Sequence, residues 1–131
     1  MHVDFYEAGT GGALMGTLYG LNESGLSPKT VALEPLQSPL LTKGKGGPHK
    51  VEGIGVGFYP PFLVKQKIDE FLAIDQEEAF EMQNFLDAQY GIFCGTSTGL
   101  NVVGAIQLAK QMSPYENVVT LGCDSGLKFL D

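Results

Sequence analysis

Apolar and polar positions along this chain follow two different periods, which predict strands and helices in alternation. A buried strand is predicted for residues 3–8, and a helix for residues 10 to about 22, where Leu14, Leu18 and Leu21 lie on one face. Two more strands are predicted at 30–33 and 68–74, and a last strand is predicted for 117–122.

Two further helices are predicted in the second half of the chain. Asp75 begins the first, with Glu78 three residues later completing a pattern typical of a capping box, and Gly91 ends it. The second runs from about Ser97 to Met112. Apolar stripes are predicted to face inward on both helices, formed by Ala79, Met82, Leu86 and Tyr90 on the first and by Val102, Ile106 and Ala109 on the second.

This order of elements predicts an α/β fold, a parallel-sheet domain with flanking helices. Ligands of such open sheets bind beyond the carboxyl ends of the strands. Three turns follow strand-like runs and are predicted to share one rim: Gly9–Gly12, Gly95–Gly99 and Cys123–Gly126. The glycine- and proline-rich stretch from Gln37 to Pro61 is long for a connection, and we expect a functional loop within one domain, 1–131, rather than a linker.

Charge and composition narrow the classes of partner. Eight basic and fifteen acidic residues give a net charge of −7, which argues against a nucleic acid or an anionic membrane as partner. No membrane-spanning segment and no secretory signal is visible in the sequence. The two cysteines, Cys94 and Cys123, have no metal-ligand spacing, so we expect no metal site and reduced thiols in a cytoplasmic protein.

The strongest chemical signal is the glycine-rich turn from Ala8 to Gly16. Glycines let the backbone approach a ligand, and the helix that follows presents unpaired N–H groups and the positive end of its dipole. Such a turn is typical of a cradle for a phosphate or another small anion, although tight packing alone also selects glycines. The turn has neither the Walker pattern of P-loop hydrolases nor the full dinucleotide fingerprint, which disfavours both classes.

Ser97, in the second glycine-rich turn, has two interpretations on its own. A serine at a helix start is most often a cap, and its alternative is a ligand contact. A Ser-His-Asp hydrolase is disfavoured because His2 and His49 are the only histidines and neither has a matching context. The carboxylates of Glu77, Glu78 and Glu81 are interpreted as part of a solvated helix face.

Together these segments resemble the cysteine synthase (O-acetylserine sulfhydrylase) and cystathionine β-synthase family. Its members are fold-type-II enzymes that use pyridoxal 5′-phosphate for β-replacement on serine derivatives. The resemblance runs through nearly the whole chain in the right order, and it is carried by Gly9–Gly12, 31–39, Gly47–Phe58 and Gly91–Gly99. It implies that the domain is part of the large domain of such an enzyme, from its C-terminal portion.

The resemblance implies roles for the residues at matching positions. The backbone amides of Gly9, Thr10, Gly11 and Gly12, with the Thr10 hydroxyl, would hold the phosphate of pyridoxal 5′-phosphate. Ser97 would hydrogen-bond the pyridine nitrogen. A neutral hydroxyl does not enforce a pyridinium, which favours α,β-elimination over transamination. Three small residues would line the substrate side: Gly53, Gly55 and Gly57.

The sequence also departs from the family pattern. Ala13 stands where a threonine is usual, Glu7 where a small residue is common, and Cys123 where a proline is usual. The resemblance covers only the C-terminal part of the family's length, about two-fifths of a full enzyme, a size compatible with one domain. None of the lysines lies in the context of the Schiff-base lysine, so no catalytic residue is assigned.

The implied reaction is that of O-acetylserine with sulfide to give cysteine and acetate, because Val56–Phe58 is more similar to the cysteine-forming branch. We expect this chain alone to have little such activity and to act with a complementary N-terminal half or as a homo-oligomer. The alternative is a non-catalytic binding or interaction module, a fragment or pseudoenzyme that pairs with a complementary chain or a full-length homologue.

Overall fold

The computed structural model describes residues 2–7, 12–37, 67–123 and 125–129. Its strands are β1 (His2–Glu7), β2 (Lys29–Pro35), β3 (Glu70–Ile74) and β4 (Asn117–Thr120). Its helices are α1 (Gly12–Glu23), α2 (Gln76–Tyr90) and α3 (Thr96–Ala109), followed by a 3-10 turn at Gly126–Phe129. These bounds agree with the predicted elements to within one to three residues at most ends.

All four strands pair in parallel, in the order β3-β2-β1-β4. Phe5 of β1 aligns with Val31 of β2 on one side and with Thr120 of β4 on the other. The chain therefore adds strands outward from β1 in one direction and then returns to add β4 on the opposite side. This confirms the predicted α/β fold class, and it creates a switch in strand order between β1 and β4.

Helices cover both faces of the sheet, and β2 is buried between them. Because successive side chains of a strand point to opposite faces, Val31 and Leu33 pack into one cluster and Ala32 into another. The first cluster joins α2 and α3 to the sheet through Ala79 and Leu100, among others. The second is formed with α1, whose buried residues Leu14, Met15 and Leu18 include two of the three predicted leucines.

The ends of α2 are set by local sequence, as predicted. The Asp75 carboxylate accepts a hydrogen bond from the Glu77 amide at 3.0 Å, so Asp75 is the N-cap. The side chain of Gln37 donates to Asp75 at 2.9 Å and accepts from the Gln76 amide at 3.1 Å. Gly91 ends the helix with a φ of 65°, a conformation that glycine adopts without strain.

The predicted inward face of α3 is wrong. Ile106 and Ala109 are exposed and Val102 is half-buried, whereas the buried apolar side chains are Leu100, Val103 and Leu108. Apolar residues occur on nearly all sides of this helix, so periodicity alone does not select its face. Two glycines determine which face of α3 packs inward. A Cβ on Gly99 would meet the Ala79 carbonyl oxygen of α2, and a Cβ on Gly104 would lie 2.6 Å from a methyl of Leu33.

Tyr90 of α2 is also placed wrongly. It is 68% exposed, at the last residue of α2, while Ala79 and Leu86 of the same predicted stripe are buried. Met82 is partly buried against the first cluster. The predicted stripe is therefore confirmed at Ala79 and Leu86 and wrong at the last residue of the helix.

Candidate functional site

The carboxyl ends of β1 and β4 lie side by side at the switch in strand order. Parallel pairing from His2–Asn117 to Phe5–Thr120 brings the turns that leave these two strands to the same edge of the sheet. A crevice at such a point is where open α/β sheets bind ligands. The start of α1 at Gly12 follows β1 there. The sheet topology therefore designates this edge as the candidate site.

Most of the predicted phosphate and substrate loops fall outside the described residues. Of the phosphate loop, Gly12 is described and is the first residue of α1, at the predicted edge. The remaining site residues lie outside the described ranges, namely Gly9, Thr10 and Gly11 of the phosphate loop and Gly53, Gly55 and Gly57 of the substrate loop.

Helix α3 begins at the same edge, and Ser97 is its second residue. The N-cap is Gly95, in an extended conformation and without a side-chain cap, so the interpretation of Ser97 as the cap is wrong. Ser97 is 3% exposed, and its hydroxyl forms no hydrogen bond with the residues that the structure describes. The start of α3 therefore has backbone N–H groups without a side-chain cap, and beside them lies the buried hydroxyl of Ser97.

Two hydrogen bonds tie the first turns of α3 to the segment after β4. The Cys123 amide donates to the Thr98 hydroxyl oxygen at 3.0 Å, and the Asn101 side-chain amide donates to the Leu121 carbonyl at 3.1 Å. The Asn101 amide also lies 3.5 Å from the Cys123 sulfur. Residues 97–101 therefore meet the end of β4, as the predicted shared rim requires.

The segments on either side of this junction also pair. Cys94 and Ser125 form an isolated antiparallel bridge, and the Gly126 amide donates to the Phe93 carbonyl at 3.0 Å. A Cβ on Gly126 would lie 2.5 Å from the Phe93 ring, so a larger residue there would require the ring to move. Two of the three predicted turns are therefore brought into contact, and of the third only Gly12, the first residue of α1, is described.

Helix α2 contributes a residue that sequence analysis missed. The Gln83 side chain donates to the Cys94 carbonyl at 3.0 Å and accepts from the Thr96 hydroxyl at 2.9 Å. Its position was visible as a polar residue four positions after buried Ala79 and three before buried Leu86. Asn101 gave a similar signal, as an amide between two apolar residues of α3.

Buried polar side chains are concentrated at the carboxyl edge of the sheet. Ser97, Thr98 and Asn101 are at most 5% exposed, and Glu34 near the end of β2 is 2% exposed. Within the described residues, the side chains whose hydrogen bonds tie the start of α3 to its neighbours, those of Gln83, Thr98 and Asn101, are uncharged. Buried polar groups cost free energy unless they are satisfied, and such a cluster is a feature of binding sites.

The cysteines are thiols that form no disulfide. Burial raises the pKa of the Cys94 thiol above its usual value, with a smaller contribution from the negative charge of Asp87. Within the described ranges, no group of three or more potential ligand residues could hold a metal ion. None of the helices in that part of the chain is both long and apolar enough to cross a membrane.

Comparison with known proteins agrees with this arrangement. The family described as "Pyridoxal-phosphate dependent enzyme" matches residues 3–124. Cysteine synthase B of Campylobacter jejuni is 39% identical over 122 residues, which cover 93% of this chain and 40% of that protein. The chain thus spans about two-fifths of the length of the curated relatives it matches.

Solved structures share the fold over nearly the whole chain. A hydrogen sulfide-producing enzyme from Fusobacterium nucleatum is 37% identical with a TM-score of 0.91, covering 99% of this chain and 44% of that one. An O-ureido-L-serine synthase is 28% identical with a TM-score of 0.91, covering 98% of this chain and 41% of that one.

Proposed function

Because this chain belongs to the family of pyridoxal-phosphate-dependent enzymes, we propose that it forms the cofactor-binding part of a cysteine synthase-like enzyme. In this proposal the complete enzyme replaces the acetate of O-acetylserine with sulfide to give cysteine. These residues contribute the contacts to the phosphate and to the pyridine nitrogen of the cofactor. The proposal also includes a single α/β domain over residues 1–131 and a cytoplasmic location, which two thiols without a disulfide support.

One observation carries the proposal. The start of α1 and the start of α3 lie at the same carboxyl edge, beside the switch between β1 and β4. Helix α1 packs on one face of the sheet and α3 on the other. A molecule in the crevice would therefore meet a helix N-terminus on one side and the Ser97 hydroxyl on the other.

The described residues fit pyridoxal 5′-phosphate in two respects. A helix start that follows a glycine-rich turn suits the dianionic phosphate, since N–H groups and the helix dipole both favour negative charge there. Ser97 offers a buried hydroxyl that makes no hydrogen bond with the described residues, as a contact to a ring nitrogen requires. Bonded groups around it, from Gln83, Thr98 and Asn101, are uncharged.

The chemistry of the bound cofactor is electron withdrawal, which stabilises negative charge on the α-carbon of an amino acid. The contribution of Ser97 is a hydrogen bond from a neutral hydroxyl, which leaves the ring nitrogen without a positive charge. Withdrawal is then weaker than with a carboxylate at that position, and loss of a β-substituent is favoured over transamination. Gly53, Gly55 and Gly57 are proposed to leave room for the substrate, and the amides of Gly9–Gly12 to hold the phosphate.

Titration of the purified chain with pyridoxal 5′-phosphate and with pyridoxal tests the cofactor contacts. We expect binding that depends on the phosphate and is weakened by Ser97→Ala. No lysine is assigned to hold the cofactor, so borohydride should fix none of it covalently to the chain. Equal binding of pyridoxal, or a covalent adduct on any lysine, would contradict the proposal.

The catalytic part of the proposal is tested by complementation. The chain alone should form little cysteine from O-acetylserine and sulfide. Addition of the separately produced N-terminal part of a relative, such as cysteine synthase B of Campylobacter jejuni, should restore β-replacement. The same part mixed with the Ser97→Ala chain is the matched control, and it should restore less.

A non-catalytic interaction module is the second candidate, and a surface feature favours it. Between α2 and α3 lies a groove of about 490 Å³ lined in part by Met82, Phe85, Val103 and Ile106. Phe85 is 48% exposed and Ile106 40% exposed. Such apolar surface is typical of a contact between chains, including self-association into a homo-oligomer. Inhibition of an intact relative on mixing, without restored activity, would favour the module.

A further inference from the structure

Gln83 holds both sides of the turn that precedes Ser97. Its amide nitrogen donates to the Cys94 carbonyl at 3.0 Å, and its amide oxygen accepts from the Thr96 hydroxyl at 2.9 Å. The Cys94 carbonyl can only accept a hydrogen bond, so the amide nitrogen of Gln83 must face it. The amide oxygen then faces the Thr96 hydroxyl, and these two partners fix the orientation of the Gln83 amide. The side chain therefore spans Gly95, the N-cap residue of α3.

Close packing of α2 on α3 brings Gln83 to this position. A Cβ on Gly99 would meet the Ala79 carbonyl oxygen and would lie 3.1 Å from the Gln83 backbone nitrogen. Only glycine at this point lets the two helices come this near. The Gln83 side chain is consequently half-buried and directed along the first turn of α3.

We propose that Gln83 is a positioning residue for Ser97, an inference that rests on the proposed function. Ser97 follows Thr96 directly, and its own hydroxyl has no hydrogen-bond partner among the described residues to hold it. Its direction is therefore set by the backbone of the turn. Hydrogen bonds weaken steeply when their angle deviates, so a turn held at Cys94 and Thr96 keeps the hydroxyl directed at the ring nitrogen.

A pair of ligands isolates this effect. The first is pyridoxine 5′-phosphate, which has no aldehyde to react with lysines, and the second is its analogue with C–H in place of the ring nitrogen. Both carry the same phosphate, so the ratio of their dissociation constants reports the contact at the nitrogen alone. One hydrogen bond predicts a preference of about fivefold for the first ligand.

The variants should change this ratio in a defined order. Ser97→Ala should abolish the preference, and Gln83→Leu and Thr96→Val should each bring it close to one with little change in affinity for the carbon analogue. Thr96→Ser keeps a hydroxyl and should keep the preference. Gln89→Leu, at an exposed glutamine of α2, is the matched control and should behave as the unaltered chain.

The outcomes separate this inference from the function on which it rests. A preference that Ser97→Ala abolishes but Gln83→Leu and Thr96→Val retain would overturn the role of Gln83 alone. An unaltered chain that binds both ligands equally, or neither, would overturn the proposed function as well. Urea unfolding of each variant checks its fold, and if Gln83→Leu is unfolded, the comparison of Thr96→Val with Thr96→Ser decides.

Discussion

The backbone N–H of Cys123 donates a hydrogen bond to the hydroxyl oxygen of Thr98 at 3.0 Å. This contact joins the segment after β4 to the first turn of α3. It fixes the distance between the end of one strand and the helix that carries Ser97. The edge proposed to bind the cofactor is therefore held together by a contact between the start of α3 and the segment after β4.

Thr98→Val tests this junction. Valine has nearly the shape of threonine, so the substitution removes the acceptor of the Cys123 amide at a position that is 5% exposed. The Cys123 N–H is partly buried, and a typical hydrogen bond contributes about 0.5–1.5 kcal/mol, so the free energy of unfolding should fall by about that amount in urea denaturation. Thr98→Ser keeps the oxygen and should lose less. Equal stability of Thr98→Val and the unaltered chain would show that the contact contributes nothing.

Glycines on two helices should respond oppositely to alanine. Gly99→Ala places a Cβ against the Ala79 carbonyl oxygen and should destabilise the fold by about 1–3 kcal/mol, since a backbone neighbour cannot move aside. Gly16→Ala on α1 meets nothing within 4 Å, and it should stabilise by about 1 kcal/mol because alanine is the better helix former. Thermal unfolding of both variants gives the comparison. A stabilising Gly99→Ala would contradict the close packing of α2 on α3.

Asp75 should make stability depend on pH in the acid range. Hydrogen bonds from the Glu77 amide, and then from the Gln37 side chain, lower the pKa of this carboxyl below its ordinary value of 3.8. The folded protein then binds fewer protons at Asp75 than the unfolded chain does. Its stabilisation is therefore fully present above the ordinary value and is lost as the pH falls through the folded pKa.

Asp75→Asn provides the measurement for this dependence. Asparagine still caps a helix but does not titrate, so the stability difference between the two proteins should shrink as the pH is lowered from about 6 to 2. Gln37→Leu removes one of the two donors and should shift the loss toward higher pH. A stability difference that stays constant over this pH range would show that folding does not favour the ionised form of Asp75.

Sequence predicted the order of elements well because β2 and α1 depend on local patterns. Residues 31–33 are a short apolar run between Thr30 and Glu34, and β2 is buried on both faces there. Asp75 and Gly91 act as end signals within their own turns. Ser97 was predicted as a site residue because a glycine-rich turn before a helix is itself a local signal.

The remaining features depend on contacts between elements. The inward face of α3 was predicted wrongly because Gly99 and Gly104, rather than the larger side chains, determine where α3 touches α2 and β2. Gln83 was missed for the same reason, since its partners are more than ten positions away along the chain. A single sequence gives no measure of such approach distances.

The most direct test of the account is a crystal structure of the chain with pyridoxal 5′-phosphate. We predict that the phosphate lies within hydrogen-bond distance of the amides of Gly9–Gly12 and that the ring nitrogen lies about 3 Å from the Ser97 hydroxyl oxygen. A cofactor bound elsewhere, or bound with its ring nitrogen facing away from Ser97, would contradict the central claim.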